Sequence, residues 1–448
     1  MKALGLHDAR YETSDPESIR RLQLAKLKPL LRETWRSNPF YRDLWERAGA
    51  DPERVDSLAA FAAEIPPVRK QDFVADQDLA PPFGRRAAAV LQSRSPLIVY
   101  HTNGTSGQGV EVHVQTHAEA AAVNEGYRSL YRWTGLKSGD HVFVCYPVSL
   151  HAGGQMDVST LHAYGCTVYP VGNYDARQKL ALLERFGPRV IVGTPSYLLH
   201  LAAVSGARPP GPRTELLLCS GETGGLALFR RLEELWGARA VSIYGASQIR
   251  ADPMATCEQP IVTSRRPAML HNLDPFYLLE VVDPATGAPV RDGERGEIVF
   301  TSLIHRAVPL IRCATGDHAV FRAAGSCNCG RPFSGVEVGS IGRLDEMKKI
   351  KGVSVWPQAV EELLFGIVEI DEYQILLGRD AYEADTVTAR LFLNRPPDFE
   401  VAGELRRRVA MLLRERTGLR FEIELAQRQP DVGVDSKARR WIDERAPA

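Results

Sequence analysis

The chain has 448 residues, which is too long for one ordinary domain, so we expect two or three structural units. Hydrophobic residues make up 44% of the sequence and charged residues 25%, as is typical of a globular protein with a sizeable core. The 55 lysines and arginines balance the 55 aspartates and glutamates, which excludes a global electrostatic field that would attract nucleic acid or a membrane surface.

The first predicted elements are a helical arm and then an α/β region. Apolar residues recur at helical spacing between residues 16 and 50, and the turn-forming segment Ser37–Tyr41 interrupts them. From residue 97 onward, short β-branched runs alternate with longer helical segments, which predicts a parallel sheet covered on both faces. The predicted strands are Leu97–Tyr100, His141–Cys145, Thr167–Tyr169, Val190–Val192, Leu216–Cys219 and Ala240–Tyr244. The predicted helices are Ala118–Thr134, Ala176–Phe186, Tyr197–Ala203 and Ala227–Trp236.

Beyond residue 275 the pattern changes to strands and turns. Phe276–Asp283 and Gly296–Thr301 flank a turn-forming segment, which predicts a hairpin-rich subdomain. The C-terminal part of the chain alternates again between strand and helix, in Tyr373–Leu377, Val387–Leu393 and Leu405–Thr417. This alternation predicts a small α+β lid.

Cysteine usage and hydropathy both favour the cytoplasm. The seven cysteines are sparse and odd in number, which argues against an extracellular disulfide framework. No stretch approaches the roughly 18 uninterrupted apolar residues of a membrane-spanning helix. The first five residues lack the basic cluster and apolar run of a signal peptide.

A glycine-rich and hydroxyl-rich segment, Thr102–Gly109, directly follows a predicted strand. Its glycines allow the backbone to turn N–H groups towards an anion, and its hydroxyls add donors for phosphate oxygens. The alternative interpretation is a plain surface turn. The segment lacks the Gly-Lys-Ser/Thr ending of a Walker loop, so a kinase-like P-loop enzyme is disfavoured.

Polar and aromatic residues follow two further predicted strands. Ser220–Glu222 comes after one strand and Tyr244–Gln248 after the next, where the carboxyl ends of parallel strands usually form a ligand-binding edge. The Tyr244 ring at this edge could stack on a base, although glycine and serine are common at strand ends. Further on, the carboxylate of Asp317 behind a glycine turn could accept both hydroxyls of a ribose, or simply belong to a turn.

Two charged segments complete the set of motifs. Gly342–Gly352 is dense in charge and glycine and would fit a joint between domains. In Asp435–Arg440, the single Lys437 on a mobile tail could reach an active site as a point charge. The alternative is a solvated basic terminus.

In this order, the five motifs resemble those of the adenylate-forming superfamily of acyl-CoA ligases, adenylation domains and luciferases, and more narrowly those of phenylacetate-CoA ligases. The likeness runs nearly end to end and includes Asn38–Tyr41, Cys327–Arg331 and Val353–Pro357. It implies an α/β protein with a large N-terminal adenylate-forming domain, residues 1–344, in which mainly parallel sheets are flanked by helices and joined by a β-rich subdomain. Residues 345–448 would form a small, mobile α+β lid.

The resemblance gives each motif a role. The residues assigned to ATP and AMP are Thr102, Asn103, Gly104, Thr105, Ser106, Gly107, Ser220, Gly221, Glu222, Tyr244, Gly245, Ala246, Ser247, Asp317 and Arg343. Lys437, Thr105 and Gln248 are assigned to the chemical step, with Lys437 bridging the carboxylate and the α-phosphate. Asp345 is the implied hinge, and the loop with Gly352 is the implied edge of the coenzyme A channel.

The implied reaction joins an aromatic carboxylic acid of the benzoate, anthranilate or phenylacetate type to AMP and then to coenzyme A. Acid and ATP are both anionic, so N–H donors, positive charge and Mg²⁺ must offset the charge that develops between them. Where the family has a metal-binding glutamate, this chain has Gln248, a weaker ligand for a hard cation. Phosphates and water could hold the metal, Glu258 could compensate, or adenylation could be impaired.

The acid pocket is assigned by the same resemblance to Tyr146, His151, Ala152, Gly153 and Gly154. The glycines would leave room for a flat ring, and His151 could hydrogen-bond an amino or hydroxyl substituent. A histidine that serves packing or contacts ATP is the alternative.

A thiol pair, Cys327 and Cys329, together with Cys257 and His271, makes a Cys₃His set typical of structural zinc. Some relatives have a similar arrangement. A Cys-x-Cys disulfide is the poorer alternative, because such a bridge is strained and the expected compartment is reducing. The other thiols are expected to pack in the core.

Two alternatives to an aryl-CoA ligase stay open. The acyl group could pass to a carrier protein or an amine, or the chain could be a non-catalytic nucleotide-binding paralogue, as Gln248 would allow. Partners are therefore expected to be an aromatic acid and coenzyme A, or a carrier protein, without nucleic acid or membrane. The resemblance also allows a homodimer.

Overall fold

The computed structural model describes residues 8–102, 111–206, 209–222, 224–261, 268–343, 346–379, 385–395, 398–426 and 440–445. Three groups of predicted site residues, 103–107, Asp345 and Lys437, lie outside these described residues.

The N-terminal arm is a set of short helices that begin and end at local signals. They are α1 (Ala9–Glu12), α2 (Pro16–Ser37), α3 (Pro39–Ala48), α4 (Leu58–Glu64), α5 (Lys70–Leu79) and α6 (Ala88–Gln92). The predicted break after residue 37 is confirmed, because Asn38 adopts an extended backbone and its side chain accepts a hydrogen bond from the Tyr41 N–H. Pro39 then occupies the first turn of α3, where its missing N–H costs nothing.

The first predicted strand is not part of the parallel sheet. β1 (Leu97–His101) pairs antiparallel with β2 (Val112–Thr116) in a separate two-stranded ribbon. The expectation that Leu97–Tyr100 joins the parallel sheet was therefore wrong. The physical reason is the short connection to the next strand, since a parallel crossover needs a dozen or more residues.

One large mixed sheet forms the body of the molecule. Its strands are β3 (His141–Val144), β4 (Thr167–Pro170), β5 (Val190–Gly193), β6 (Leu216–Cys219), β7 (Arg239–Ala246), β8 (Ala251–Thr256), β9 (Met269–Asn272), β10 (Tyr277–Val282), β11 (Arg295–Ser302), β12 (Cys313–Arg322), β13 (Gly335–Glu337) and β14 (Gly342–Arg343). The order is β10-β11-β12-β13-β9-β8-β7-β6-β5-β3-β4, with β14 beside β12.

Only part of this sheet is parallel. The strands β4, β3, β5, β6 and β7 run parallel, and from β8 onward the pairing is antiparallel. The predicted hairpin is confirmed as the antiparallel pair of β10 and β11, but it extends the same sheet. The helices between the strands are α7 (His117–Thr134), α8 (Ala152–Tyr164), α9 (Ala176–Phe186), α10 (Pro195–Ser205) and α11 (Leu226–Trp236).

The C-terminal part is a four-stranded sheet with two helices, as the strand–helix alternation predicted. Its elements are β15 (Lys348–Ile350), β16 (Val353–Val355), α12 (Pro357–Phe365), β17 (Ile370–Arg379), β18 (Asp385–Leu393), α13 (Phe399–Thr417), β19 (Glu422–Ala426) and β20 (Trp441–Asp443). The sheet has the order β19-β18-β17-β20. Within the described residues, the structure contains no helix with the length and apolarity needed to cross a bilayer.

α11 carries the contact between this C-terminal part and the large sheet. The carboxylate of Glu362 accepts a hydrogen bond from the Ala227 N–H at the start of α11, at 3.1 Å. Arg231, one turn further along α11, forms an ion pair of 2.7 Å with Asp371 on β17. The helix that follows the predicted nucleotide-binding motif Ser220–Glu222 is therefore also the docking surface for the C-terminal part.

Candidate active site

The strands β7, β12 and β14 bring a tyrosine, a carboxylate and an arginine together. The Tyr244 hydroxyl donates to Asp317 Oδ2 at 2.7 Å, and Arg343 Nε lies 3.5 Å from Asp317 Oδ1. Asp317 and Arg343 are register partners across the β12–β14 pair, so the sheet itself fixes their proximity. Burial and the charge of Asp317 raise the pKa of Tyr244 well above its ordinary value, so the hydroxyl keeps its proton.

A second group of predicted residues meets beside the end of β6. The Tyr146 hydroxyl donates to the Ser220 carbonyl oxygen at 2.7 Å and lies 3.0 Å from Ser220 Oγ. The Glu222 carboxylate accepts from the Ser196 N–H at 3.1 Å and from Ser196 Oγ at 2.7 Å. Ser196 is in the first turn of α10, where a carboxylate is stabilised by the unpaired N–H groups and the helix dipole. Gly221 between them has a φ of +77°, a conformation that favours glycine.

These two groups open onto one narrow cleft at the strand ends. The side chains and backbone that line it are Glu222, Gly224, Ser242, Ile243, Tyr244, Leu270, Gly339 and Ile341. Its lining combines aliphatic side chains with a tyrosine ring, a serine and a carboxylate, which offers both apolar contact and hydrogen-bonding groups to a ligand. Two motifs from neighbouring strands, Ser220–Glu222 and Tyr244–Ser247, therefore converge as the sequence predicted.

Within the second motif, Gly245 is required by a close approach. A Cβ at Gly245 would lie 1.9 Å from Asp252 Oδ1 and 2.5 Å from the Ala251 carbonyl oxygen, so no larger residue fits. Ala246 and Ser247 form the turn that follows, in which the Arg250 N–H is bonded to both carbonyl oxygens.

The described ends of the predicted phosphate loop are held by Glu111. The Glu111 N–H donates to Thr102 Oγ1 at 3.2 Å, and Lys70 Nζ lies 3.8 Å from Glu111 Oε2. Burial acts to raise the pKa of Glu111, but the hydrogen bond and charge of His113 and the charge of Lys70 outweigh it and lower the pKa. Glu111 thus stays an anion beside the loop, a residue that the sequence analysis missed because no motif marks it.

The Gln248 side chain is half-buried and hydrogen-bonds the Cys313 thiol. The idea that Glu258 compensates for the missing glutamate is wrong. Glu258 instead forms a 2.6 Å ion pair with Arg331, which is 3% exposed and also contacts Glu12. Its carboxylate is therefore committed to a buried arginine.

The residues predicted to form the acid pocket lie just before α8 and in its first turn. His151 is the residue before the helix, and its ring packs against His101 with the centroids 4.5 Å apart. This contact favours the packing role of His151. A Cβ at Gly154 would lie 2.3 Å from the Pro147 carbonyl oxygen, so this glycine allows close chain packing, whereas Gly153 leaves its nearest contact, the Tyr146 ring, at 3.9 Å. Ala152 is buried in the first turn.

The four predicted metal ligands converge. The ligand atoms of Cys257, His271, Cys327 and Cys329 all lie within 4.8 Å of one another. Cys257 Sγ and Cys327 Sγ are 3.8 Å apart, and Cys329 Sγ is 3.4 Å from His271 Nε2. A tetrahedral zinc ion with its usual bond lengths would place two sulfurs about 3.8 Å apart and a sulfur and a nitrogen about 3.6 Å apart. The spacing of the four side chains therefore fits that ion.

Two predicted elements of the C-terminal part are described. Gly352 occupies the turn between β15 and β16 with a φ of +80°, which favours glycine. Arg440, which follows the segment containing Lys437, is held by the carboxylates of Glu361 and Glu372 at 2.9 and 2.8 Å. The sequence analysis did not single out this buried cluster.

The molecule has a mixed α/β sheet with a cleft for a flat ring at its strand ends and a tyrosine–aspartate–arginine group beside that cleft. It also has a separate C-terminal α+β part. Together these features define a nucleotide-binding enzyme. The AMP-binding enzyme family matches residues 36–303, and the AMP-binding enzyme C-terminal domain matches residues 352–445.

Curated relatives narrow this class. The chain is 30% identical to the phenylacetate-coenzyme A ligase of Thermus thermophilus over 98% of this chain and 99% of the relative. It is 31% identical to that of Pseudomonas putida over 82% of this chain and 81% of the relative. The chain therefore belongs to the AMP-binding enzyme family, among its phenylacetate-CoA ligase-like members.

Solved structures agree on the fold and distinguish two arrangements. The 2-hydroxyisobutyryl-CoA ligase in its postadenylation state matches with a TM-score of 0.87 at 26% identity, over 99% of this chain and 94% of that one. The same enzyme in its thioesterification state, with identical coverage, gives a TM-score of 0.71. The arrangement of this chain thus agrees better with the first state. An anthranilate CoA ligase at 18% identity, with a TM-score of 0.56, shares the fold.

Proposed function

We propose that this acid–CoA ligase activates an aromatic carboxylic acid with ATP to form an acyl-adenylate and pyrophosphate, and then transfers the acyl group to coenzyme A with release of AMP. The observation that carries the proposal is a cleft lined by Glu222 and Tyr244, with Asp317 bonded to the Tyr244 hydroxyl and Arg343 beside Asp317, in a chain of this family. The phenylacetate-coenzyme A ligases among its relatives support an aromatic acid.

The described residues suggest how the nucleotide is oriented. The adenine ring would lie in the cleft against the Tyr244 ring, which itself stacks on Phe300 with the centroids 6.4 Å apart. The carboxylate of Asp317 would accept the ribose hydroxyls, with the guanidinium of Arg343 beside it at 3.5 Å. The half-exposed guanidinium of Arg343 would also face the α-phosphate.

Besides Arg343, groups outside the described residues would offset the charge that develops at the α-phosphate. We keep Thr105 and its neighbours in the phosphate loop, and Lys437, as the proposed donors for this step. Bound Mg²⁺ would supply positive charge to the phosphates, and the side-chain oxygen of Gln248 is the proposed, weaker protein contact for it. Thr102 and Glu111 would fix the two ends of the loop.

For the second step we propose that residues 345–448 rotate as a lid about Asp345, relative to residues 1–344. The rotation would withdraw Lys437 and bring the Gly352 turn to the coenzyme A channel. The better agreement with a postadenylation arrangement supports an adenylation-side orientation of the lid in this structure. Transfer to a carrier protein or an amine is the alternative for this step, and a homodimer stays an expectation.

A pyrophosphate-release assay with benzoates, anthranilates, phenylacetates and cinnamates, each with and without coenzyme A, tests the proposal. We expect release that depends on Mg²⁺ and on the acid, and a thioester when coenzyme A is present. An adenylate without any thioester would favour the carrier-protein or amine alternative. No release with any aryl acid, and the same trace as a Lys437→Ala control, would favour the non-catalytic alternative.

We also propose that Cys257, His271, Cys327 and Cys329 hold a structural zinc ion. The four ligands complete a tetrahedron and leave no open position for chemistry. Elemental analysis of freshly purified protein should give about one zinc per chain, and Cys329→Ser should lose it. Cys166→Ser is the matched control, because Cys166 is a buried core thiol whose Sγ is hydrogen-bonded to the Lys137 carbonyl oxygen. Zinc-free wild-type protein would eliminate the site.

A further inference from the structure

The helix that begins at the predicted acid pocket carries a buried carboxylate one turn further on. Asp157 on α8 follows Gly153 by four residues and Gly154 by three, so the three residues share one face of the helix. Asp157 is only 5% exposed, and its Oδ2 is buried without a hydrogen-bond partner among the described residues. An unpaired buried acceptor is costly, so it indicates a missing donor.

A second buried carboxylate approaches from the sheet. Asp252 on β8 is 9% exposed, and its Oδ1 occupies the space beside Gly245 where a side chain would otherwise lie. Its N–H donates to the Tyr127 hydroxyl at 2.8 Å. The Tyr127 hydroxyl also donates to Met156 Sδ at 3.6 Å, and Met156 precedes Asp157 in α8, so Asp252 lies behind the motif Tyr244–Ser247 on the side that faces α8.

The two carboxylates influence each other and the same tyrosines. Burial and the charge of Asp252 raise the pKa of Asp157 well above its ordinary value, and burial raises the pKa of Asp252 to about 6. After burial, the charge of Asp157 is the next cause that raises the pKa of Tyr146, and the charge of Asp252 does the same for Tyr127. The pair thus lies beside Tyr146, whose hydroxyl is bonded to Ser220.

No lysine, arginine or histidine of the described chain forms an ion pair with either aspartate. Two like charges buried close together favour a proton or a cation between them. The Tyr127 hydroxyl that bonds Asp252 and the Tyr146 ring beside Gly153 add no positive charge. The described residues therefore place two buried carboxyl groups, one with an oxygen that lacks a partner, next to the residues predicted to bind the acyl substrate.

We propose that Asp157 and Asp252 bind an amine carried by the acyl substrate, so that the enzyme activates an amino-substituted aromatic acid. The inference rests on the proposed function and names its substrate class. An amine offers at least two N–H donors, which matches two acceptors, whereas a hydroxyl offers one. An unsubstituted ring would leave both carboxylates unpaired, so it should be rejected. The role first considered for His151 thus passes to the aspartates.

The test compares kcat/KM for pyrophosphate release on matched acids: benzoate, aminobenzoates, hydroxybenzoates and aminomethylbenzoates. We expect an amino or aminomethyl compound to exceed its unsubstituted parent by about 100-fold or more, because sites built to bond a polar group discriminate strongly. Aminomethylbenzoates carry a full ammonium charge and aminobenzoates do not. The class with the higher kcat/KM therefore shows whether charge or hydrogen bonding governs the substrate preference.

Variants assign the preference to the two carboxylates. Asp157→Ala and Asp252→Asn should lose most of the preference for the amine while the unsubstituted acid gains. Asp274→Asn is the matched control, because Asp274 is a buried aspartate bonded to Ser334 and Asn272, and it should keep wild-type selectivity. Thermal unfolding of each variant shows whether it folds.

The outcomes separate the two claims. This inference is overturned, and the proposed function stands, if the wild-type enzyme activates an unsubstituted aromatic acid at least as well as the amino-substituted acid with the same ring. Unchanged selectivity in folded Asp157 and Asp252 variants overturns it too. If every acid fails to release pyrophosphate, the proposed function fails and this inference fails with it.

Discussion

Two pairs of buried carboxylates lie in different parts of the molecule and are satisfied in different ways. In the C-terminal part, Glu361 and Glu372 share the guanidinium of Arg440, which is 9% exposed. At the large sheet, Asp157 on α8 and Asp252 on β8 share no cation among the described residues. All four carboxylates are buried, so the two pairs differ in whether the chain itself provides a positively charged partner.

The paired cluster holds structure in place. Glu361 also accepts a hydrogen bond from the Gly225 N–H at the start of α11, at 3.4 Å, so Arg440 is tied to the helix that borders the cleft. Burial raises the pKa of Glu361 to about 7, with Glu222 adding to the rise, although Arg440 opposes it. A carboxylate pair with its own arginine needs no ligand, whereas the pair without one is complete only when something binds.

The largest effect is expected from removing the internal cation. Arg440→Met should lower the free energy of unfolding by about 3–5 kcal/mol, because it leaves Glu361 and Glu372 buried without a counter-charge. Denaturant titration measures the change. Arg408→Gln, which breaks the exposed pair with Glu369, is the control and should change the free energy by at most about 1 kcal/mol. Equal losses of stability in Arg440→Met and Arg408→Gln would mean that burial does not make the Arg440 cluster more important than an exposed ion pair.

A smaller effect of opposite sign is expected in the unpaired cluster. Because the pKa of Asp252 in the folded protein, about 6, lies above its ordinary value of 3.8, the ionised carboxylate destabilises the fold at neutral pH. Asp252→Asn should therefore raise the free energy of unfolding at pH 7.5 by about 2 kcal/mol in the absence of substrate. The same change should lower activity on an amino-substituted aromatic acid. A variant that is more stable but less active would show that the effects of Asp252 on stability and on function are separate.

The pH dependence sharpens this prediction. The stability that Asp252 confers is fully present below about pH 4 and is lost as the pH rises through about 6, so the gain from Asp252→Asn should shrink as the solution is acidified. Asp283 is the opposite case, because hydrogen bonds from the Ala285 and Thr286 N–H groups lower its pKa. Asp283→Ala should cost stability at neutral pH and nothing in acid. The same pH trend for both variants would contradict the assignment.

The smallest effect is expected where the two parts meet. Arg231→Gln removes the 2.7 Å pair with Asp371, a partly buried contact worth about 1 kcal/mol. If that contact holds residues 345–448 in the orientation for adenylation, pyrophosphate release should fall about fivefold. Thioester formation from preformed acyl-adenylate should stay unchanged. Arg390→Gln, which breaks an exposed pair with Glu424 inside the C-terminal sheet, should change neither rate. An equal loss in both half-reactions would show that the contact supports the fold alone.

Elements with a strong local signal were predictable from the sequence. α9 and β6 have the predicted bounds, because a helical repeat with a flanking Asp175 cap and a short apolar run are both readable within a few residues. The partner of β1 was not predictable from its own apolar pattern, which suits a strand in either kind of sheet. The length of the following connection decided the pairing.

The residues of the candidate site also fall into a group that the sequence predicted and a group that it did not. Tyr244 and Asp317 were identified because each sits in a short motif after a strand, and the structure joins them through one hydrogen bond. Asp157 and Asp252 sit in no motif, since a single aspartate in a helix or strand is ordinarily exposed. Only the packing of α8 against the sheet shows that both are buried and close enough to influence each other.

By itself, the sequence determined the periodic elements, the strand-end motifs and the four residues of the Cys₃His cluster, because each of these depends on residue type and spacing along the chain. The tertiary structure decided the order of the strands, the continuity of the mixed sheet and the meeting of the two aspartates. The reason is physical: burial and electrostatic pairing depend on distances through space, and these are set by which strands become neighbours.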